Sequence, residues 1–134
     1  FSLAIARFVS CVYGAEYAKS SVRSAEMNAS LNKIENAVFQ ACDLDSDEVC
    51  IRGLAEVNKL VLDPPRNGAS RFIGRMPLEQ IERIVYVSCN PVTFGEDLKI
   101  LLGKGFELKA ARVIDMFPHT THIESLALLV RNNG

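Results

Sequence analysis

The sequence has no long hydrophobic run. Its longest apolar stretches are about five residues, far short of the ~20 that span a bilayer, so no membrane helix is expected. A basic leader followed by an extended apolar core is also missing, and nothing reads as a secretory signal. Charge of one sign is scarce: 15 Lys and Arg against 16 Asp and Glu give a formal net charge of −1. Composition therefore lacks the basic footprint of a nucleic-acid-binding surface. The four cysteines, Cys11, Cys42, Cys50 and Cys89, form no C-x-x-C pair and have no histidine at ligand spacing nearby. That argues against a zinc or iron–sulfur site and against a secreted disulfide framework, and favours a reduced, cytoplasmic setting. Repeats, low-complexity tracts and linkers are absent, so residues 1–134 read as one domain. The opening Phe1-Ser2-Leu3-Ala4-Ile5-Ala6-Arg7 has no initiator Met and looks like the middle of an amphipathic helix, as if the true beginning lay upstream.

What is present is an ordinary globular composition, 49% hydrophobic and 23% charged, arranged as alternating strand and helix patterns. Residues 2–8 read as the end of a helix and 9–13 as a short strand closing before Glu16. Residues 18–33 read as a helix with a small-residue face of Ala18, Val22, Ala25 and Ala29. Strands are expected at 37–42 and 59–62, followed by a short helix from an N-cap at Ser70 to about residue 75. A fourth strand is expected at 84–88. Thr93-Phe94-Gly95-Glu96 has capping-box spacing ahead of a helix with Leu98, Leu101 and Leu102 as its apolar stripe. The last two strands, 106–114 and 125–131, have no helix between them and should pair antiparallel. The fold class this implies is α/β: a doubly wound, mostly parallel sheet with helices on both faces and a terminal antiparallel hairpin.

Chemistry-bearing residues fall at strand ends. Glu16, Asp43 and Asp63 each close a strand, and the carboxyl ends of a doubly wound sheet converge on one crevice. There they are either solvated loop acids and helix caps or acceptors for a ligand such as a ribose diol. In Asp63-Pro64-Pro65-Arg66, two prolines stiffen the backbone and can hold Asp63 and Arg66 in fixed directions. Cys89 ends the fourth strand, where Pro91 forces a break; it is either a packed thiol or a strand-end nucleophile. The stretch from Ile114 to Glu124 holds both histidines, His119 and His122. H-x-x-H-x-E on a loop lacks the i, i+4 geometry of helical metal motifs, so Glu124 reads better as a general base than as a metal ligand, and no metal is expected.

Two long patterns carry a family resemblance. Asp63-Pro64-Pro65-Arg66-x-Gly68, then fifteen residues, then Ile84-Val85-Tyr86-x-Ser88-Cys89-Asn90-x-x-Thr93 resembles one signature of the SAM-dependent RNA uracil-C5 methyltransferases. Asp115-x-Phe117-Pro118-His119-Thr120-x-His122-Ile123-Glu124 resembles the other. The resemblance covers residues 1 to about 131 and implies a class I, Rossmann-like methyltransferase domain using S-adenosyl-L-methionine (SAM) to make 5-methyluridine in tRNA or rRNA. It implies Cys89 as the nucleophile that adds to uracil C6 and Glu124 as the base that removes the C5 proton. Glu16, Asp43 and Asp63 match positions that contact SAM, and Arg66, Asn90, His119 and His122 are candidates for shaping the pocket or contacting RNA. By that resemblance the family's first strand, most of its glycine-rich SAM loop, any N-terminal RNA-binding barrel and the iron–sulfur cysteines of some members would be expected upstream of Phe1. The expectation that follows is weak SAM binding and no RNA methylation by this chain alone. Three rivals stand beside this reading. One is a cytosine-C5 methyltransferase, which places its thiol after a proline. The second is an amino methyltransferase with an aromatic residue where Arg66 stands. The third is a non-catalytic methyltransferase-like binding module.

Overall fold

The computed structural model describes residues 1–46, 51–115 and 123–132. The chain forms two compact units, Phe1–Glu56 and Val57–Gly134.

The first unit is a βαβ crossover. A short helix α1 (Ser2–Ile5) runs into a 3-10 turn (Ala6–Phe8), followed by β1 (Val12–Glu16), α2 (Lys19–Leu31) and β2 (Ala37–Ala41). The strands pair in parallel from Val12 against Ala37 to Glu16 against Ala41. β1 begins three residues later than the apolar run suggests, because the Asn36 carboxamide donates to the carbonyls of Ala6 and Val9 (2.8 and 2.9 Å). Those bonds hold 6–9 as a turn, and pairing starts only where the Val12 amide meets the Asn36 carbonyl at 2.8 Å. α2 buries Val22 and Ala29 of the expected small-residue face. Gly14 faces Phe39 across the ladder, and a β-carbon there would lie 2.7 Å from the Phe39 ring. The ring occupies the space that the glycine leaves.

The second unit holds a four-stranded mixed sheet in the order β3-β4-β6-β5, with β3 (Lys59–Leu62) parallel to β4 (Arg83–Ser88). β6 (Glu124–Arg131) lies between β4 and β5 (Phe106–Ile114) and is antiparallel to both. The expected terminal hairpin is therefore inserted beside β4 through its last strand. One β-bulge falls between Leu108 and Ala110. The α/β class holds, with the strands hydrogen-bonded as a pair and a foursome, not as one ladder.

Alternation along β4 buries Ile84, Tyr86 and Ser88 on one face, joined by Ala127 and Leu129 of β6. α3 (Ser70–Arg75) contributes Phe72 and Ile73 to the core, and α4 (Pro91–Gly103) contributes Leu101. Two details differ from the sequence pattern. α4 starts at Pro91 and is capped by Asn90, whose side-chain oxygen accepts the Val92 amide at 3.1 Å, so Thr93 lies inside the helix. The buried stripe of α4 is also rotated: Asp97 (1% exposed) and Leu101 (0%) face inward, while Leu102 is 47% exposed. At α3 the N-cap is Ala69 and Ser70 is its first residue. At the far end of the sheet the Arg131 guanidinium donates to the carbonyls of Ile81 (2.8 Å), Lys104 (3.2 Å) and Leu78 and lies 4.2 Å over the Phe106 ring.

Candidate active site

Strand register brings the two candidate catalytic residues together. The last β4–β6 pair is Ser88 with Ser125, so Cys89, in the bend just past β4, and Glu124, the first residue of β6, lie at the same end of the sheet. Glu124 is held in place as the first residue of β6 by its pairing with Ile114. Cys89 is a half-buried free thiol on the bend between β4 and α4. Its bend is fixed by Ser88, whose hydroxyl lies 3.1 Å from both the amide and the carbonyl of Asn90. Extended angles at Asn90 and the preset φ of Pro91 then turn the chain into α4.

The Asp63–Gly68 loop runs beside this bend. β3 ends at Leu62, paired with Tyr86, so the exposed Asp63 leaves the sheet alongside the end of β4. The Arg66 carbonyl accepts from the Asn90 carboxamide at 2.9 Å and lies 3.2 Å from the Thr93 hydroxyl. The prolines stiffen the start of the loop, and Gly68, at φ +78°, closes it in a conformation that a β-carbon would disfavour. Asn90 thus does two jobs, capping α4 and clamping the loop.

A buried polar cluster underlies these contacts. Asp97 Oδ2 accepts the Ala69 amide at 2.7 Å and the Tyr86 hydroxyl. Burial first, then the bond to Asp97 and its negative charge, push the Tyr86 hydroxyl far above the ordinary tyrosine range, so it stays a donor. Tyr86 also meets Phe94 edge to face, with ring centroids 5.4 Å apart. Sequence reasoning missed Tyr86, Thr93 and Asp97 as site-supporting residues. One signal was available: Asp97 lies one turn before the apolar Leu101, so an acid falls on the face of α4 that Leu101 buries.

Glu16 and Asp43 belong to the first unit, at the carboxyl ends of the adjacent parallel strands β1 and β2. Each carboxylate is oriented by an amide two residues on: Glu16 by Ala18 (3.1 Å) and Asp43 by Asp45 (3.0 Å). Asp63, Arg66, Cys89, Asn90 and Glu124 belong to the second unit. His119 and His122 lie outside the described residues. Among the described residues no group of three or more His, Cys, Asp or Glu is placed to hold a metal ion, and no helix is long and apolar enough to cross a membrane.

The α/β architecture is that of the class I SAM-dependent methyltransferases. An rRNA methylase from Streptococcus thermophilus superposes with a TM-score of 0.67 at 13% identity, over 96% of this chain and 78% of that one. TYW2 of M. jannaschii, solved in complex with AdoMet, gives 0.66 at 15% identity, over 98% of this chain and 64% of that one. Within that class, residues 1–132 match the family described as tRNA (uracil-5-)-methyltransferase, and the chain belongs to that family. Curated relatives include the 23S rRNA (uracil(1939)-C(5))-methyltransferase RlmD of Legionella pneumophila (strain Corby), 47% identical over 131 residues, 96% of this chain. RlmD of Histophilus somni (strain 129Pt) is 42% identical over 134 residues, 98% of this chain. The chain spans 29% of the Legionella protein and 30% of the Histophilus protein.

Proposed function

We propose that this chain is the catalytic part of a cytoplasmic enzyme that methylates carbon 5 of a uridine in RNA, with Cys89 as nucleophile and Glu124 as general base. The observation that supports the reading is that Cys89 follows β4 and Glu124 opens β6 at the same end of the sheet, with the Asp63–Gly68 loop clamped to the bend after Cys89. Uracil C5 is too weak a nucleophile to take a methyl group unaided. Addition of the Cys89 thiolate to C6 pushes the electron pair of the C5–C6 double bond through the ring onto the C4 oxygen, making C5 nucleophilic. SAM, when bound, would supply the electrophilic methyl group for C5, its sulfonium being the thioether leaving group. The Glu124 carboxylate then takes the C5 proton, the double bond re-forms, and the Cys89 sulfur departs as thiolate.

The donor set fits SAM. Glu16 and Asp43 are carboxylates set in fixed directions at adjacent strand ends, suited to accept from the hydroxyl and amine donors of a nucleoside. Asp63, exposed at the start of the loop beside Cys89, is the third acid assigned to SAM. Arg66, Asn90, His119 and His122 are assigned to the RNA side of the pocket. The experiment is to incubate the full protein carrying this chain with SAM and RNA containing 5-fluorouridine, in which loss of the C5 proton is blocked. A covalent protein–RNA adduct that disappears in Cys89→Ala is expected. No adduct with the unaltered protein refutes the reading and favours a binding module.

A further inference from the structure

Beneath the site lies a buried acid that the proposed chemistry does not use. Asp97 is 1% exposed, yet an apolar side chain would fill its place with far less desolvation. What the carboxylate adds is direction. Its Oδ2 accepts the Tyr86 hydroxyl, from the strand that leads into Cys89, and the Ala69 amide at 2.7 Å, immediately after Gly68. One oxygen therefore joins the strand carrying the candidate nucleophile to the loop carrying Asp63 and Arg66. The loop backbone is pressed onto it: a β-carbon at Gly68 would lie 2.7 Å from the same Oδ2 and 3.0 Å from the Thr93 β-carbon. From the start of the same helix, Asn90 and Thr93 hold the Arg66 carbonyl.

We propose that Asp97 and Tyr86 are positioning residues, a buried link that sets the Asp63–Gly68 loop against Cys89 so that the groups on the loop and the thiol meet one substrate in register. The proposal rests on the uracil-C5 methyltransferase reading. A link of this kind acts on the reacting geometry more than on binding, because a displacement of about 1 Å between reacting groups can cost on the order of a hundredfold in rate.

The test uses the full protein carrying this chain, with SAM, substrate RNA and quantitation of 5-methyluridine, at a temperature where every variant is folded by circular dichroism. Asp97→Leu keeps about the size of the side chain but removes the accepting oxygen, and should lower kcat by about ten- to a hundredfold while leaving KM within about threefold. Tyr86→Phe should lower kcat in the same way. Adding it to Asp97→Leu should bring little further loss, because both variants break one link. Leu101→Ala, in the core one turn further along α4, controls for destabilisation and should lower the melting temperature without lowering kcat more than about twofold. Amide hydrogen exchange at Ala69 should speed up in Asp97→Leu while β4 stays protected. If Asp97→Leu behaves as Leu101→Ala does, with a lower melting temperature and near-normal kcat, or if Ala69 exchange is unchanged, the proposal falls and the reading stands. If the unaltered protein forms no 5-methyluridine, the reading falls and the proposal with it.

Discussion

Tyr86→Phe is the most informative single change for stability, because it removes one oxygen and almost nothing else. Tyr86 is fully buried and its ring contact with Phe94 survives the substitution. What is lost is the hydroxyl donor to Asp97, which keeps the Ala69 amide at 2.7 Å. A hydrogen bond to a charged group contributes about 1.5–3 kcal/mol, so at pH 7 the variant should be less stable by about 2 kcal/mol. The pH dependence sharpens the test. The folded-state pKa of Tyr86 is raised above its ordinary value of 10.0, chiefly by burial and then by Asp97. Above pH 10 the unfolded chain has released a proton that the folded chain still holds, so this contribution is complete below pH 10 and is lost as pH rises past it. The loss approaches about 1.4 kcal/mol per pH unit, and Tyr86→Phe does not suffer it. The gap between the two proteins should shrink from about 2 kcal/mol at pH 7 to under about 1 kcal/mol at pH 11. Urea titrations followed by circular dichroism at pH 7, 9, 10 and 11 measure it. Equal stability at pH 7, or a gap that stays constant or widens from pH 9 to 11, refutes the reasoning.

Gly68→Ala places a β-carbon at φ +78° and 2.7 Å from Asp97 Oδ2. The left-handed conformation alone costs about 1–2 kcal/mol, and the contact raises the total to about 2–4 kcal/mol; a loss below about 1 kcal/mol by urea titration would mean that the loop is not pressed onto Asp97. Arg131→Ala leaves the carbonyls of Ile81, Lys104 and Leu78 without their guanidinium donor and strips the cation from the Phe106 ring. It should cost about 3 kcal/mol, with Arg131→Lys recovering less than half because an ammonium cannot reproduce the fork; full recovery by Lys would reduce the site to a point charge.

Much of the fold was legible in the sequence where pattern and punctuation agree. β3 falls where a β-branched and leucine run meets Asp63-Pro64, and β5 and β6 lie within a residue of their expected bounds because glycines precede the first and a polar stretch of sequence separates the two. The pattern misleads where a side chain outside the element decides. Val9 is apolar, yet Asn36 bonds hold its segment as a turn; Thr93 has the spacing of a cap, yet Asn90 with Pro91 starts the helix three residues earlier. At the candidate site, Cys89, Glu124, Asp63, Arg66 and Asn90 were named from the sequence, whereas Tyr86 and Asp97 were not. A tyrosine in a strand and an aspartate in a helix carry no local mark of being bonded to each other eleven residues apart.

The sequence by itself determined the element order, the family and the residue types of the chemistry, because strand ends, proline breaks and spaced motifs are local properties of a chain. Only the tertiary structure decided that β6 pairs with β4 and that Cys89 and Glu124 thereby come to the same end of the sheet. It alone decided that one buried carboxylate oxygen ties the strand of Cys89 to the loop of Asp63. Register and burial depend on which distant segments meet, and hydrogen bonds between them form only once the core has brought them together.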